Sequence, residues 1–147
     1  LQDIPESENG AMNAVKGKSF NEFREWLVIN DAASQGIGIP EGRVPQSIFW
    51  LYDGDVPVGM GKLRHFLNDH LLEDGGHIGY TISPNYRGNG YGTALLSLLI
   101  NEAKKLGINN VLLTIWTDNE ASIKAALKNG GIIEKTNDRY HFIWCNA

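Results

Sequence analysis

Cysteine is almost missing from this 147-residue chain. A single one, Cys145, rules out an intramolecular disulfide and agrees with a reducing, cytoplasmic setting. No apolar run is long enough to cross a bilayer as a helix, and no secretory signal opens the sequence. Runs of lysine or arginine are absent as well. With 17 acidic against 13 basic residues the formal net charge is −4, so neither nucleic acid nor an anionic membrane is an expected partner. There is no internal repeat, low-complexity tract or linker. His65, His70 and His77 fall close together, but their spacing fits no zinc motif and only one cysteine is available, so no metal is expected. The chain begins at Leu1 rather than Met, which is readable as processing, as a fragment or as the ordered part alone.

What is present suits one soluble domain over residues 1–147. Hydrophobic content of 42% and charged content of 20% are ordinary, and the length allows a substantial core without staples. The organising stretch is residues 76–106. Ile78, Tyr80 and Ile82 alternate with smaller or polar residues, the period of a pleated strand, and Pro84 stops it. A glycine-rich turn follows, Arg87-Gly88-Asn89-Gly90-Tyr91-Gly92. Apolar residues at 91, 94, 95, 98, 99, 103 and 106 then mark one buried face of a helix. Lys104 and Lys105 sit in its last turn, with Gly107 at the left-handed position beyond. Such a turn presents unpaired backbone N–H groups at the positive end of a helix dipole, and glycine lets an anion approach closely. Its spacing is neither that of a nucleotide P-loop nor that of a dinucleotide fingerprint. On the turn alone, anion binding and simple loop geometry both stay open.

Arg87, Gly90 and Gly92 match R/Q-x-x-G-x-G/A at a strand-to-helix turn, and here the segment resembles the GNAT superfamily of N-acetyltransferases. The resemblance implies acetyl-CoA as co-substrate. The backbone amides of Arg87, Gly88, Asn89, Gly90, Tyr91, Gly92 and Thr93 would hold its pyrophosphate, and the strand at Tyr80, Thr81 and Ile82 its pantetheine arm. Residues 119–131 resemble the second motif, N-x-x-A/S-x-x-x-Y-x-x-x-G-F, with Asn119, Ser122 and Gly130 matching. Asn119 is read as a pantetheine ligand and equally as a helix N-cap. Ala126 stands where many members carry the tyrosine that protonates the departing thiolate, and Gly131 replaces a phenylalanine. The likeness covers the last two thirds of the chain.

Elsewhere, residues 1–18 read as a loosely held polar segment. Ser19 and Glu22 form a capping-box pattern that opens a helix ending near Asn30, with Phe20, Phe23, Trp26 and Leu27 on its apolar face. Residues 31–46 read as an irregular loop. Residues 47–52 and 56–67 read as a hairpin around Asp53-Gly-Asp55, with Gly59 and Gly61 weakening or bulging the return strand. Residues 68–75 read as a polar loop whose Asp69, Glu73 and Asp74 are solvated or attract a cation. A strand at 111–116, a short helix to about Lys128 and a closing hairpin at 132–135 and 140–144 complete the pattern. The expected fold class is therefore α/β (α+β), a twisted, mixed but mostly antiparallel sheet with helices on both faces.

The expected reaction is direct acetyl transfer to a primary amine of a small molecule or peptide. An alkylammonium must lose a proton before it attacks, and His77, with Glu73 as rival, is the expected base, the alternative for His77 being a structural role that ties down the preceding loop. Ser122 is the expected stand-in for the missing tyrosine, and Cys145 is expected to be inert. A CoA-binding sensor or scaffold without catalysis, and a nucleotide-phosphate binder, are the alternatives. A homodimer is compatible with the sequence.

Overall fold

The structure, a computed structural model, describes residues 2–147. It opens with a small hairpin, β1 (Ser7–Glu8) and β2 (Ala11–Met12), that turns through Asn9 and Gly10 at φ of 48° and 80°. The segment expected to be loosely held thus carries a hairpin; residue 1 lies outside the described residues. Ile4 and Val15 are buried, the Asn13 amide donates to the Ile4 carbonyl at 3.1 Å, and the Ser83 hydroxyl donates to Asp3. Two apolar anchors and polar ties to distant residues hold the segment. It has no apolar face of its own, so no periodicity betrays it.

Helix α1 (Phe20–Ser34) starts at the expected capping box: Ser19 accepts from the Glu22 amide while the Glu22 carboxylate accepts from Ser19 N–H. It runs past Asn30 to the Gln35-Gly36 turn, because the Asn30 side chain bonds back to the Trp26 carbonyl at 2.8 Å and leaves the helix intact. Strands β3 (Gln46–Asp53), β4 (Val56–Arg64) and β5 (Ile78–Ile82) form one antiparallel sheet in the order β3-β4-β5. Between β4 and β5, Asn68 caps a short helix, α2 (Asp69–Glu73), where a plain loop was expected. A second sheet holds β6 (Asn110–Trp116), β7 (Ile132–Thr136) and β8 (Tyr140–Asn146) in the order β6-β8-β7, again antiparallel.

The helices lie on both faces of the first sheet. Trp50 of β3 stands opposite Met60, and Phe23 and Trp26 of α1 each pack edge-on against its ring at 6.1 Å. The alternate face, carrying Gly59 and Gly61, receives α3 (Tyr91–Lys105). A Cβ on Gly61 would stand 2.5 Å from a methyl of Leu99, and one on Gly59 2.7 Å from a methyl of Ile82. As expected, β4 bulges beside Gly59: its register with β3 shifts between Leu51 and Tyr52, where Val58 is the extra residue, and the two glycines have a further use. They let a leucine-bearing helix lie close to the sheet. Leu95, Leu96, Leu99, Ile100 and Ala103 of α3 fill the main core with Leu63, Ile78, Val111, Leu113 and Ile143. Helix α4 (Glu120–Lys128), capped by Asn119, adds Ala125 and Ala126. Among the described residues no helix is long and apolar enough to cross a membrane.

Candidate functional site

The two sheets touch through their edge strands, β5 and β6, at one end only. There the His77 N–H donates to the Leu112 carbonyl at 2.8 Å, and the Leu112 N–H donates to His77 Nδ1 at 3.0 Å. The Gly75 N–H adds a bond to the Thr114 hydroxyl at 2.8 Å. Beyond this seam the strands diverge and open a groove of about 400 Å³. Its first wall is β5. The His77 carbonyl accepts from Arg64 and the Ser83 N–H donates to Val58, so odd-numbered residues face β4. Strand alternation then turns the backbone groups of Ile78, Tyr80 and Ile82 toward the groove.

The far end is the N-terminus of α3. Gly90 takes the N-cap position at φ 84° and Gly88 has φ 79°, both left-handed. A Cβ on either would meet nothing within 4 Å, so both backbones face open space. No side chain caps this helix, and the first-turn N–H groups of Tyr91, Gly92 and Thr93 stay available to an anion. The Tyr91 hydroxyl ties the helix start to Asp53 at the β3–β4 turn. Arg87 is already engaged. Its Nε donates to the Ile82 carbonyl at 3.0 Å, and its fork meets Glu8 of the N-terminal hairpin at 3.0 and 2.5 Å.

The structure brings Tyr80, Thr81, Ile82, Arg87, Gly88, Gly90, Tyr91, Gly92, Thr93, Asn119 and Ser122 to this one groove. Asn89 is not on its wall; its exposed amide donates to the carbonyls of Tyr86 and Arg87. Asn119 is an N-cap, its side chain accepting from the Ser122 N–H at 3.3 Å. The two expected bases are not brought in. Glu73 lies exposed on α2, 3.8 Å from Lys135. His77 is buried in the seam, and burial together with the Arg64 charge pulls its imidazolium down to about 4. Its Nδ1 lone pair is taken by the Leu112 N–H, so it joins the sheets, the structural alternative for this residue.

Residues not assigned to the site beforehand also shape the groove. Asp74, Arg64 and Tyr140 stand at the seam end, and burial followed by the Asp74 carboxylate raises the Tyr140 phenol. Arg64 is held there by the carbonyls of Gly75 and Gly76 at 2.8 and 3.0 Å. Residues Glu8 to Ala11 close the opposite side. Sequence pattern carries no sign of that hairpin. Asp74 was visible only as one of three acids. Cys145 is buried, which pushes its thiol up. Among the described residues no three His, Cys, Asp or Glu side chains are grouped to hold a metal.

The model of the acetyltransferase (GNAT) family matches residues 11–130. The chain belongs to the GNAT family. Solved structures of GNAT proteins share its fold at low identity. An N-acetyltransferase from Staphylococcus aureus Mu50 is 19% identical, with 89% of this chain and 79% of that one covered and a TM-score of 0.63. Campylobacter jejuni N-acetyltransferase PseH, solved in complex with acetyl coenzyme A, is 15% identical, with 88% and 82% covered and a TM-score of 0.60. Mycobacterium smegmatis RimJ, solved in complex with CoA-disulfide, is 16% identical, with 86% and 62% covered and a TM-score of 0.66. No curated protein matches the chain in sequence. Family membership makes this an acetyltransferase, and gives the expected α/β fold class its GNAT form.

Proposed function

We propose that the protein moves an acetyl group from acetyl-CoA to a primary amine of a small molecule or peptide, by direct attack. The observation that carries this reading is the groove itself, a gap between two edge strands that ends on an uncapped, glycine-lined helix N-terminus. Acetyl-CoA would supply a thioester there. The open space over Gly88 and Gly90 suits a pyrophosphate, and the free backbone edge of β5 suits an amide-bearing arm. Arg87 would join the phosphate site by exchanging Glu8 for the ligand.

The chain's own contributions are positional and electrostatic. Backbone N–H groups of Tyr80 or Ile82 face the groove and can receive the charge that builds on the thioester oxygen. Of the two acids on the groove wall, Glu8 is paired with Arg87 and Asp74 is in no salt bridge within 4 Å among the described residues. Asp74 therefore takes the part first given to His77 or Glu73: it draws in the ammonium group and accepts its proton, directly or through water. No acyl-enzyme is required.

Thiol release from acetyl-CoA, followed over a panel of amino acids, polyamines, aminoglycosides and peptides, tests the reading. Saturable release with at least one amine is expected. Calorimetric binding of acetyl-CoA with no release by any of them would favour a sensor instead, and absence of binding would end the proposal.

A further inference from the structure

Tyr80 carries a group that the fold itself does not use. Its place on β5 is opposite Gly61 of β4, on the face covered by α3. Its ring runs beside the start of that helix, 3.6 Å from where a Cβ on Gly92 would stand. The residue lines the groove, yet its hydroxyl is shielded from water and has no hydrogen-bond partner. Among described residues it is the sole buried side-chain polar atom so placed. Ser122 of α4 lies close enough to influence its acidity but makes no hydrogen bond to it. Leaving a hydroxyl dry and unpaired is unfavourable, and such a group invites a partner that arrives with a ligand.

We propose that the Tyr80 hydroxyl donates the proton to the thiolate that leaves when acetyl-CoA gives up its acetyl group. The inference rests on the acetyl-CoA reading above. The amine lone pair forms the new C–N bond, the C–S bond breaks, and sulfur departs with that electron pair. The O–H proton of Tyr80 passes to sulfur to give the free thiol. The nitrogen, now acylated, gives up its extra proton to water, and the phenolate regains one from water, with the Ser122 hydroxyl beside it. Chemistry favours Tyr80 over Ser122 as the donor. A phenol, ordinarily near 10, is much closer to a thiol of about 8.5 than an aliphatic alcohol is, and proton transfer is most effective between matched groups. Burial raises the Tyr80 phenol, which keeps its proton in place until sulfur needs it. Ala126, buried on the facing helix, offers no hydroxyl of its own.

The test compares wild type with Tyr80→Phe and Ser122→Ala in the full chain. Removing an unpartnered hydroxyl should leave the unliganded melting temperature unchanged or higher in Tyr80→Phe, and a lower one would make the hydroxyl structural and overturn the proposal. Acetyl-CoA affinity by calorimetry should stay within about twofold, since the hydroxyl acts as charge builds on sulfur while the C–S bond breaks and not on the intact thioester. Absorbance of bound CoA against pH reads thiolate directly. A donated hydrogen bond holds the thiolate in wild type, so in Tyr80→Phe the bound thiol should ionise about one pH unit higher. With an amine from the panel, kcat should fall on the order of 100-fold in Tyr80→Phe and much less in Ser122→Ala. Wild-type thiol ionisation and kcat in a folded Tyr80→Phe would overturn the role of Tyr80 alone. Failure of wild type to bind acetyl-CoA would instead remove the parent reading, and this one with it.

Discussion

His77 makes the stability of the protein depend on pH in a window set by the seam. Its imidazole is buried between the sheets, and Nδ1 must be unprotonated to accept from the Leu112 N–H at 3.0 Å. Burial and the Arg64 charge lower its folded-state value from the ordinary 6.5 to about 4. In that interval the unfolded chain binds the extra proton, so stability rises with pH. The contribution is complete above the unfolded value and lost as pH falls toward the folded one. A drop of this size is worth about 3 kcal/mol in all, at about 1.4 kcal/mol per pH unit where the slope is steepest. His77→Gln is the control, because its amide oxygen can still accept from Leu112 and does not titrate. Urea unfolding at several pH values gives the difference in free energy between wild type and variant, which cancels the carboxylates common to both. Wild type should be ahead near neutrality by about 1 kcal/mol, the worth of the better hydrogen bond. It should lose about 3 kcal/mol against the variant by about pH 4. Parallel curves across that range would refute the placement of a neutral His77 in the seam.

Glu8→Gln removes the carboxylate that holds the Arg87 fork, and acetyl-CoA should bind about two- to fivefold more tightly, the usual scale of an exposed ion pair, with the gain fading in high salt; calorimetry at two salt concentrations checks both points. Gly90→Val places a branched side chain at φ 84° over the open helix start, so a folded variant should lose acetyl-CoA binding by calorimetry and be roughly 1–2 kcal/mol less stable in urea. Lys62 is pulled down to about 8 by burial and then by the Arg64 and Arg43 charges, so its charged form opposes folding. Lys62→Met should therefore gain about 1–3 kcal/mol at neutral pH, an advantage that shrinks in urea melts between about pH 8 and about pH 10.5.

What could be read from the chain alone was local and periodic. The strand, turn and helix at 78–105, the Ser19 capping box and the hairpin at Gly54 each combine a hydrophobic period with a punctuating residue, and each formed near its expected bounds. What escaped depends on partners far off in sequence. The β1–β2 hairpin holds its place through Asp3 with Ser83 and Glu8 with Arg87, across about eighty residues. That Gly59 and Gly61 also make room for a helix shows only when Leu95 and Leu99 are set above them. His77 offers an imidazole of ordinary reactivity until Leu112 is placed 3.0 Å from its Nδ1. In the groove, the open helix start followed from the turn motif. Asp74 and the orphaned Tyr80 hydroxyl required the second sheet to be in position.

The seam also divides the molecule in a way that bears on how it assembles. Each sheet is made from one unbroken stretch, residues 46–82 and 110–146, with strands pairing mostly to neighbours along the chain. Loop closure within each half is short, so either can form before the other is complete. The two plates are fastened at one margin by three amide N–H groups, with one imidazole and one hydroxyl among their acceptors. The groove is the unfastened margin. A molecule seated there would touch both plates, and would act as mortar as well as reactant: hydrogen exchange across β5 and β6 should slow when it binds, far beyond the atoms it contacts.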